Sequence, residues 1–388
     1  MSQNLTPRSD RVHIGIFGRR NSGKSSLINA ICNQQVSIVS DFAGTTTDPV
    51  YKSMEILPLG AVCFIDTPGL DDVGDIGALR VERAKDVLKR CDMAIVVCTK
   101  DNGFGDVETE IEESLKKRKI PYVIVFNKCD EQGIVEGHFN VSAKSGENIS
   151  LLRERLALLK PQKENVYIAD IIDEGDTVIM VVPIDEAAPK GRIILPQQNV
   201  LREILDKRAV ALVLQPSQLP FALQSLKKAP KLVVTDSQAF GEVSKMVPPE
   251  ISLTSFSIIM SRKKGNLLQS VEGANAIEKL SDGDTVLISE GCTHHRQCND
   301  IGSVKLPNML KKFTGKNISI ELTSGTDFPK DLSKYALVIH CGGCMLQDSE
   351  VSLRYESAKE KGIPMTNYGI AMAKMQGILD RTVEMFNL

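Results

Sequence analysis

Two short stretches carry side chains suited to gripping a metal: His340-Cys341-Gly342-Gly343-Cys344, and upstream of it Cys292-Thr293-His294. Two thiolates spaced as Cys341 and Cys344 are can bind one centre without strain, while the glycines between them let the backbone turn tightly and aim N–H groups at sulfur. Three cysteines with imidazoles nearby suit either an iron–sulfur cluster or zinc. Cys298 lies beyond the triplet and reads as a bystander. A different chemistry sits near the start, in Gly18-Arg19-Arg20-Asn21-Ser22-Gly23-Lys24-Ser25, followed by Ser26. This is a phosphate loop, in which backbone N–H groups hold the phosphates, Lys24 reaches the β- and γ-oxygens, and the Ser25 hydroxyl takes magnesium. Three later stretches choose the base and complete the site. A hydroxyl in Gly44-Thr45-Thr46-Thr47-Asp48 can finish the magnesium shell. In Asp66-Thr67-Pro68-Gly69 the carboxylate holds magnesium through water and the Gly69 N–H meets the γ-phosphate. In Asn127-Lys128-Cys129-Asp130 the Asp130 carboxylate can accept both N1–H and N2–H2 of guanine, a pair that adenine does not offer. Ser142-Ala143-Lys144 closes over the base.

These residues need strand ends to stand on, and the apolar runs supply them. Val12 to Phe17 precedes the phosphate loop, Val62 to Ile65 precedes Asp66, and Tyr122 to Phe126 precedes Asn127. Thr285 to Ile288 leads to Cys292 and Tyr335 to Ile339 leads to His340. All read as buried strands. If the last two are parallel neighbours, their thiols converge at the carboxyl edge of one sheet, where open α/β sheets bind ligands. A helix near Glu350 to Lys361 would turn its positive end towards that site. The fold class expected is therefore α/β: a phosphate-loop nucleotide domain over 1–165, then two smaller α/β domains over 166–265 and 266–388. The polar stretches Leu159 to Asn165 and Arg262 to Asn266 mark the joins. The middle segment shows no acid–base pair, and its runs Val178 to Val182 and Ile258 to Met260 are candidates for self-association. Asp185 to Gly191 reads only as a loop.

Composition sets limits on partners. The 388 residues are 42% hydrophobic with a formal net charge of −2 and no tryptophan, so no strong field or basic, aromatic-rich surface exists for nucleic acid or an anionic membrane. The longest apolar runs fall short of the roughly 20 residues a membrane span needs. Met1 to Arg11 is polar, which points to the cytoplasm, where nine cysteines are thiols or ligands rather than disulfides. Cys63 and Cys98 fall in strand runs and read as small core residues, and His13 and His138 as structural.

Residues 12 to 150 resemble the TrmE–Era–EngA group of GTPases on the phosphate loop and the three later stretches. That resemblance implies that Thr46 binds magnesium and that Asn21 holds a potassium ion beside the phosphates. It also exposes a departure: Leu70 stands where Ras-type enzymes have a water-orienting glutamine, which implies slow hydrolysis. Over its whole length the chain resembles the [FeFe]-hydrogenase maturation GTPases of the HydF family, through the nucleotide motifs, Val182 to Pro196, and the Cys-x-His and His-Cys-Gly-Gly-Cys stretches. What this implies is a homodimer with a [4Fe–4S] cluster on Cys292, Cys341 and Cys344. The fourth iron would be held by His294, His340 or a labile ligand. The cargo would be a diiron precursor with CO and CN− ligands, received from the radical maturases HydE and HydG and passed to the hydrogenase apoprotein. The competing reading is an RNA- or ribosome-associated GTPase with a structural zinc.

Overall fold

The computed structural model describes residues 11–32, 50–67, 84, 86–160, 166–184, 193–291, 301–325, 327–344 and 346–388. Contacts divide the chain into two compact units, Met1–Lys163 and Glu164–Leu388.

In the first unit, β1 (Val12–Phe17), β2 (Val50–Ile56), β3 (Gly60–Asp66), β4 (Met93–Thr99), β5 (Tyr122–Asn127) and β6 (Phe139–Asn140) form one sheet in the order β2-β3-β1-β4-β5-β6. Among the described residues only β2 runs antiparallel, against β3; the other pairs are parallel. Strands buried on both faces read as unbroken apolar runs, and β4 is buried at all seven positions. One face packs Ile14, Phe64, Ile95 and Val125 against Leu27, Ile28 and Ile31 of the helix Lys24–Cys32 and Leu152 and Leu156 of the helix Ile149–Leu159. Cys63 and Cys98 are core residues. The phosphate loop, Asp66 and Asn127 all lie at carboxyl ends of parallel strands, as the motifs require.

The second unit holds two four-stranded parallel sheets. In the first, β7 (Thr177–Val181), β8 (Val210–Leu214), β9 (Leu232–Thr235) and β10 (Ser252–Ser255) run in the order β10-β9-β7-β8. In the second, β11 (Thr285–Glu290), β12 (Ser319–Ser324), β13 (Leu337–His340) and β14 (Met365–Asn367) run in the order β12-β11-β13-β14. The pairing expected between the two metal-site strands is present, with β11 beside β13 from Val286↔Leu337 to Ser289↔His340. Around residue 265 the interior is continuous. Val233, Leu253 and Ile258 share one buried cluster with Leu267, Ala274, Ile370 and Ala373, so the two sheets are halves of one body.

The expected self-association surfaces need correcting. Strand β7 is interior to its sheet, and Ile258, Ile259 and Met260 are buried, because both runs face the core. Among the described residues the sheet ends on β10, which is mostly buried, and on β8, a charge-free Val-Ala-Leu-Val-Leu strand in which Val210 is 49% and Val213 47% exposed. Apolar edge strands pair with other chains unless a charge blunts them. Val213→Lys is accordingly expected to weaken self-association in sedimentation while leaving the circular dichroism spectrum unchanged. An unaltered mass would remove β8 as the contact.

Candidate functional site

At the phosphate loop, Gly18 (φ +151) and Gly23 (φ +86) occupy backbone conformations in which a Cβ would meet Val97 O and Asn127 Nδ2, each at 2.3 Å. The loop is therefore specified as glycine by close approach as well as by φ. Lys24 is buried, and its ammonium donates to the carbonyls of Gly18 (3.0 Å) and Arg19 (2.8 Å). Ser25 Oγ donates to Asp66 Oδ2 at 2.6 Å, which brings together the two residues expected around magnesium. Burial pushes the Asp66 carboxyl above its ordinary range, opposed by the Ser25 hydroxyl and then by Lys24 and Lys52. Asp66 Oδ1 and Ser22 Oγ are buried with no hydrogen-bond partner among the described residues. Oxygens left in that condition fit a site shaped for a metal ion with its waters and for a phosphate.

Asn127 ties the guanine end to the phosphate end. Its Nδ2 donates to Ser22 O (3.0 Å) and its Oδ1 accepts from Ala143 N–H (3.0 Å). Ser142 Oγ, buried, accepts from the N–H groups of Lys144 (3.2 Å) and Ser145 (2.9 Å), which shapes the loop that closes over the base. Lys128 stands at φ +66, so the chain turns sharply there and leaves Asp130 exposed. An open cavity of about 610 Å3 is lined by Asn127, Lys128, Asp130, Ala143 and Lys144, with Ser26 and Asn29 opposite. Sequence reasoning missed Glu108, which is 1% exposed and holds Arg19 of the phosphate loop through two 3.0 Å bonds. The signal available was Glu108 three residues after Gly105, whose N–H it accepts at 3.0 Å as in a helix-start box. Thr46 and Gly69 lie outside the described residues.

In the second unit the β11–β13 pairing ends at Ser289↔His340, and just past it the chain after β11 brings the Gly291 N–H to the Cys341 sulfur. Cys341 Sγ accepts the N–H of Gly291 at 2.9 Å and of Gly343 at 3.3 Å. Gly343 has φ +63, and a Cβ there would press on Val351 at 2.9 Å; one at Gly291 would press on Leu346 at 2.8 Å. Burial pushes the Cys341 thiol up to about 11. The two N–H groups pull it down, and neighbouring Cys344 and Glu290 push it further up. Two N–H donors on one sulfur suit a thiolate ligand, and metal uptake there must displace the thiol proton. Cys292, His294 and Cys298 lie outside the described residues, within which no group of three potential metal ligands comes together.

His340 departs from expectation. It is fully buried, its Nδ1 is 2.6 Å from the Cys341 carbonyl oxygen, and its Nε2 is 3.0 Å from Arg354 Nη1. A guanidinium only donates, so Nε2 accepts and the ring proton sits on Nδ1, pointing at the carbonyl. Burial, then the Arg354 charge, brings its pKa down to about 3. Both nitrogens are committed, and His340 supplies no lone pair to a metal in this arrangement. Arg354 itself is 2% exposed and also contacts Ser289 Oγ (3.3 Å), Glu350 Oε1 (3.3 Å) and Gly325 O (2.8 Å). Only Glu350, four residues earlier on the same helix, is marked by spacing; Ser289, His340 and Gly325 come from three other segments.

Residues 13–128 match the family model described as 50S ribosome-binding GTPase. Residues 167–265 match the hydrogen maturase F dimerization domain, and 268–385 the hydrogen maturase F tetramerization domain. GTPase Der of Wolinella succinogenes is 33% identical over 165 residues, which is 37% of this chain and 35% of that protein. GTPase Der of Sulfurimonas denitrificans is 37% identical over 125 residues, 31% of this chain and 25% of that protein. The match thus spans about a third or less of these curated relatives. Among solved structures, Era of Aquifex aeolicus bound to GDP.AlF4- covers 60% of this chain and 97% of its own, with 20% identity and a TM-score of 0.33. The G domain of the T. maritima FeoB transporter covers 39% and 99%, with 20% identity and a TM-score of 0.31.

A raised folded-state pKa at Asp66 means that its charge costs the metal-free fold stability, and this cost grows as pH rises through that pKa. Asp66→Asn should therefore leave the metal-free protein as stable as the parent or more so at neutral pH, while weakening magnesium by about 10–100-fold. Thermal melts with and without magnesium measure both; a destabilised metal-free variant would contradict the burial account.

Proposed function

The chain belongs to the hydrogen maturase F family, and from that premise we propose that it is a cytoplasmic GTPase and iron–sulfur carrier that delivers a diiron precursor to [FeFe]-hydrogenase. The observation carrying this reading is the coexistence of two separate sites on one chain. One is a guanine-nucleotide site whose phosphate loop, Asp66 and base-reading stretches come together. The other is a partly buried cysteine, Cys341, whose sulfur accepts two backbone N–H groups at the carboxyl edge of paired strands, one of them from the residue just before Cys292.

At the nucleotide, Lys24 exchanges its loop carbonyls for β- and γ-phosphate oxygens, Ser25 and Asp66 hold magnesium, and Asp130 reads guanine. Thr46 and Gly69 complete the magnesium and γ-phosphate contacts. Asn21, at φ +59 in the phosphate loop, would hold a potassium ion that neutralises charge beside the phosphates. Leu70 offers no group to orient water, so hydrolysis is slow and leans on that cation.

At the other site Cys292, Cys341 and Cys344 hold a [4Fe–4S] cluster. A cluster held there would supply one iron with an exchangeable position, beside which the cargo could dock. With His340 committed to Arg354, that fourth position falls to His294 or to a labile ligand. The protein works as a self-associating chain, receives its cargo from HydE and HydG, and hands it to the hydrogenase apoprotein. The positive end of the helix Asp348–Glu360 follows Cys344 and favours an anionic site.

Anaerobic reconstitution is expected to give about four irons and four sulfides per chain, one cluster's worth, and replacing Cys292, Cys341 and Cys344 by alanine should abolish uptake in metal analysis and electron paramagnetic resonance. A colourless protein with one zinc would favour the RNA-associated reading instead. Hydrolysis is expected to run at least about tenfold faster in potassium than in sodium, as a charge-stabilising cation at the phosphates would do. Equal rates would take Asn21 out of the mechanism.

A further inference from the structure

The second unit repeats itself. Gly175-Asp176-Thr177-Val178 opens β7 and Gly283-Asp284-Thr285-Val286 opens β11, with both glycines at positive φ (+81 and +90). Listed from its second strand, each sheet has the same order, β8-β7-β9-β10 and β12-β11-β13-β14. The last strand of each ends on a helix cap. Ser255 Oγ accepts from Ile258 N–H at 3.3 Å, and Asn367 Oδ1 accepts from Ile370 N–H at 2.8 Å. The helices that follow, Phe256–Lys263 and Tyr368–Met375, each give way to a glycine at positive φ, Gly265 (+76) and Gly377 (+71).

Contacts between the two halves are crossed. In this correspondence Ser257 matches Gly369, Ser237 matches Gly342, Lys264 matches Gln376 and Gly241 matches Leu346. A Cβ at Gly342 would lie 3.8 Å from Ser257 Oγ, and one at Gly369 would lie 2.7 Å from Ser237 Oγ. Lys264 Nζ donates to Leu346 O at 3.0 Å, and Gln376 Nε2 lies 3.6 Å from a Cβ placed on Gly241. Gln269 donates to Tyr355 O at 3.0 Å, and its counterpart Arg381 donates to Val247 O at 3.0 Å. Even the terminal helices are exchanged, Leu267–Ala274 packing on β14 and Leu379–Val383 on β10. When i meets j and the counterpart of j meets the counterpart of i, a two-fold axis relates the parts.

The halves differ where chemistry is expected. After the third strand one reads Asp236-Ser237-Gln238-Ala239 and the other Cys341-Gly342-Gly343-Cys344. Facing the thiol-free loop is neutral Gln376, and facing the thiol loop is Lys264, 5% exposed, whose ammonium binds Leu346 O and Asp348 Oδ1 (2.9 Å). Its Cε lies 3.8 Å from a Cβ placed on Gly343. A buried cation appears on the side that has thiols and not on its counterpart.

We propose that residues 173–274 and 281–386 are two copies of one ancestral half, paired about an internal two-fold axis. In this pairing Lys264 of the thiol-free copy is a positioning residue for the metal loop of the other. The assignment of Lys264 rests on Cys341 and Cys344 being metal ligands. Lysine here orders the turn from Cys341 to Leu346 and sets positive charge behind an anionic centre.

Lys264→Gln installs the residue that the counterpart position already carries. The variant is expected to take up the same amount of metal as the parent but to surrender it to a chelator at least about tenfold faster. For an iron cluster the midpoint potential moves negative, and Lys264→Arg restores both properties. A Lys264→Gln protein with the parent's chelation rate and potential overturns the role of Lys264, whereas a parent chain holding no metal overturns the carrier function with it. The pairing has its own test. A chain cleaved between Leu280 and Ser281 should elute as a single species that separates only in denaturant; halves that part in native buffer would overturn it.

Discussion

The second unit depends on the parallel pairing of β11 with β13 in one register. Ser289↔His340 is the last matched pair, and just beyond it Gly291, two residues past Ser289, donates its N–H to the sulfur of Cys341 at 2.9 Å. A slip of one residue would turn Cys341 to the opposite face of the sheet. That register is held because Val286, Leu287 and Ile288 on one strand and Leu337, Val338 and Ile339 on the other are all buried, on both faces, so no alternative pairing keeps six apolar side chains from water. Behind it, Arg354 joins Ser289, His340 and Gly325, which belong to three different segments at the same sheet edge. A buried guanidinium with one partner removed is costly, so the network resists rearrangement and keeps the thiol loop in one shape.

The nucleotide site obeys the same logic by other means. Its two ends come from residues 18–26 and 127–144, and they meet because both start at carboxyl ends of strands in one sheet. Asn127 then fastens one loop to the other through its two amide atoms. A change at Asn127 therefore reaches the phosphates and the base together. The Arg19–Glu108 pair adds a buried charge-assisted clamp from a helix that touches neither.

The internal two-fold explains why the boundary near residue 265 marks a change of sheet and not of core. Each half lends its terminal helix to the other, so neither sheet is fully covered by its own segment. Duplication of this kind leaves two equivalent carboxyl edges, and only one carries cysteines. The residues that pack against those edges are then free to diverge, as Lys264 and Gln376 have done.

The order of motifs, the strand preceding each of them, the core cysteines and the expectation that β11 and β13 are neighbours were all legible in the chain, because they rest on local spacing and on apolar runs. The sequence even holds Gly-Asp-Thr-Val twice, though four residues are too few to reveal a repeat without matching topology. What only the tertiary structure decided is where long-range contacts fall. It put β7 inside its sheet and β8 at an exposed edge, and it turned His340 from an apparent ligand into an acceptor for Arg354. It also brought Lys264 from the other half to the thiol loop. The physical reason is that periodicity reports which residues leave water, whereas the partner that satisfies a buried polar group is chosen by packing among segments far apart in the chain.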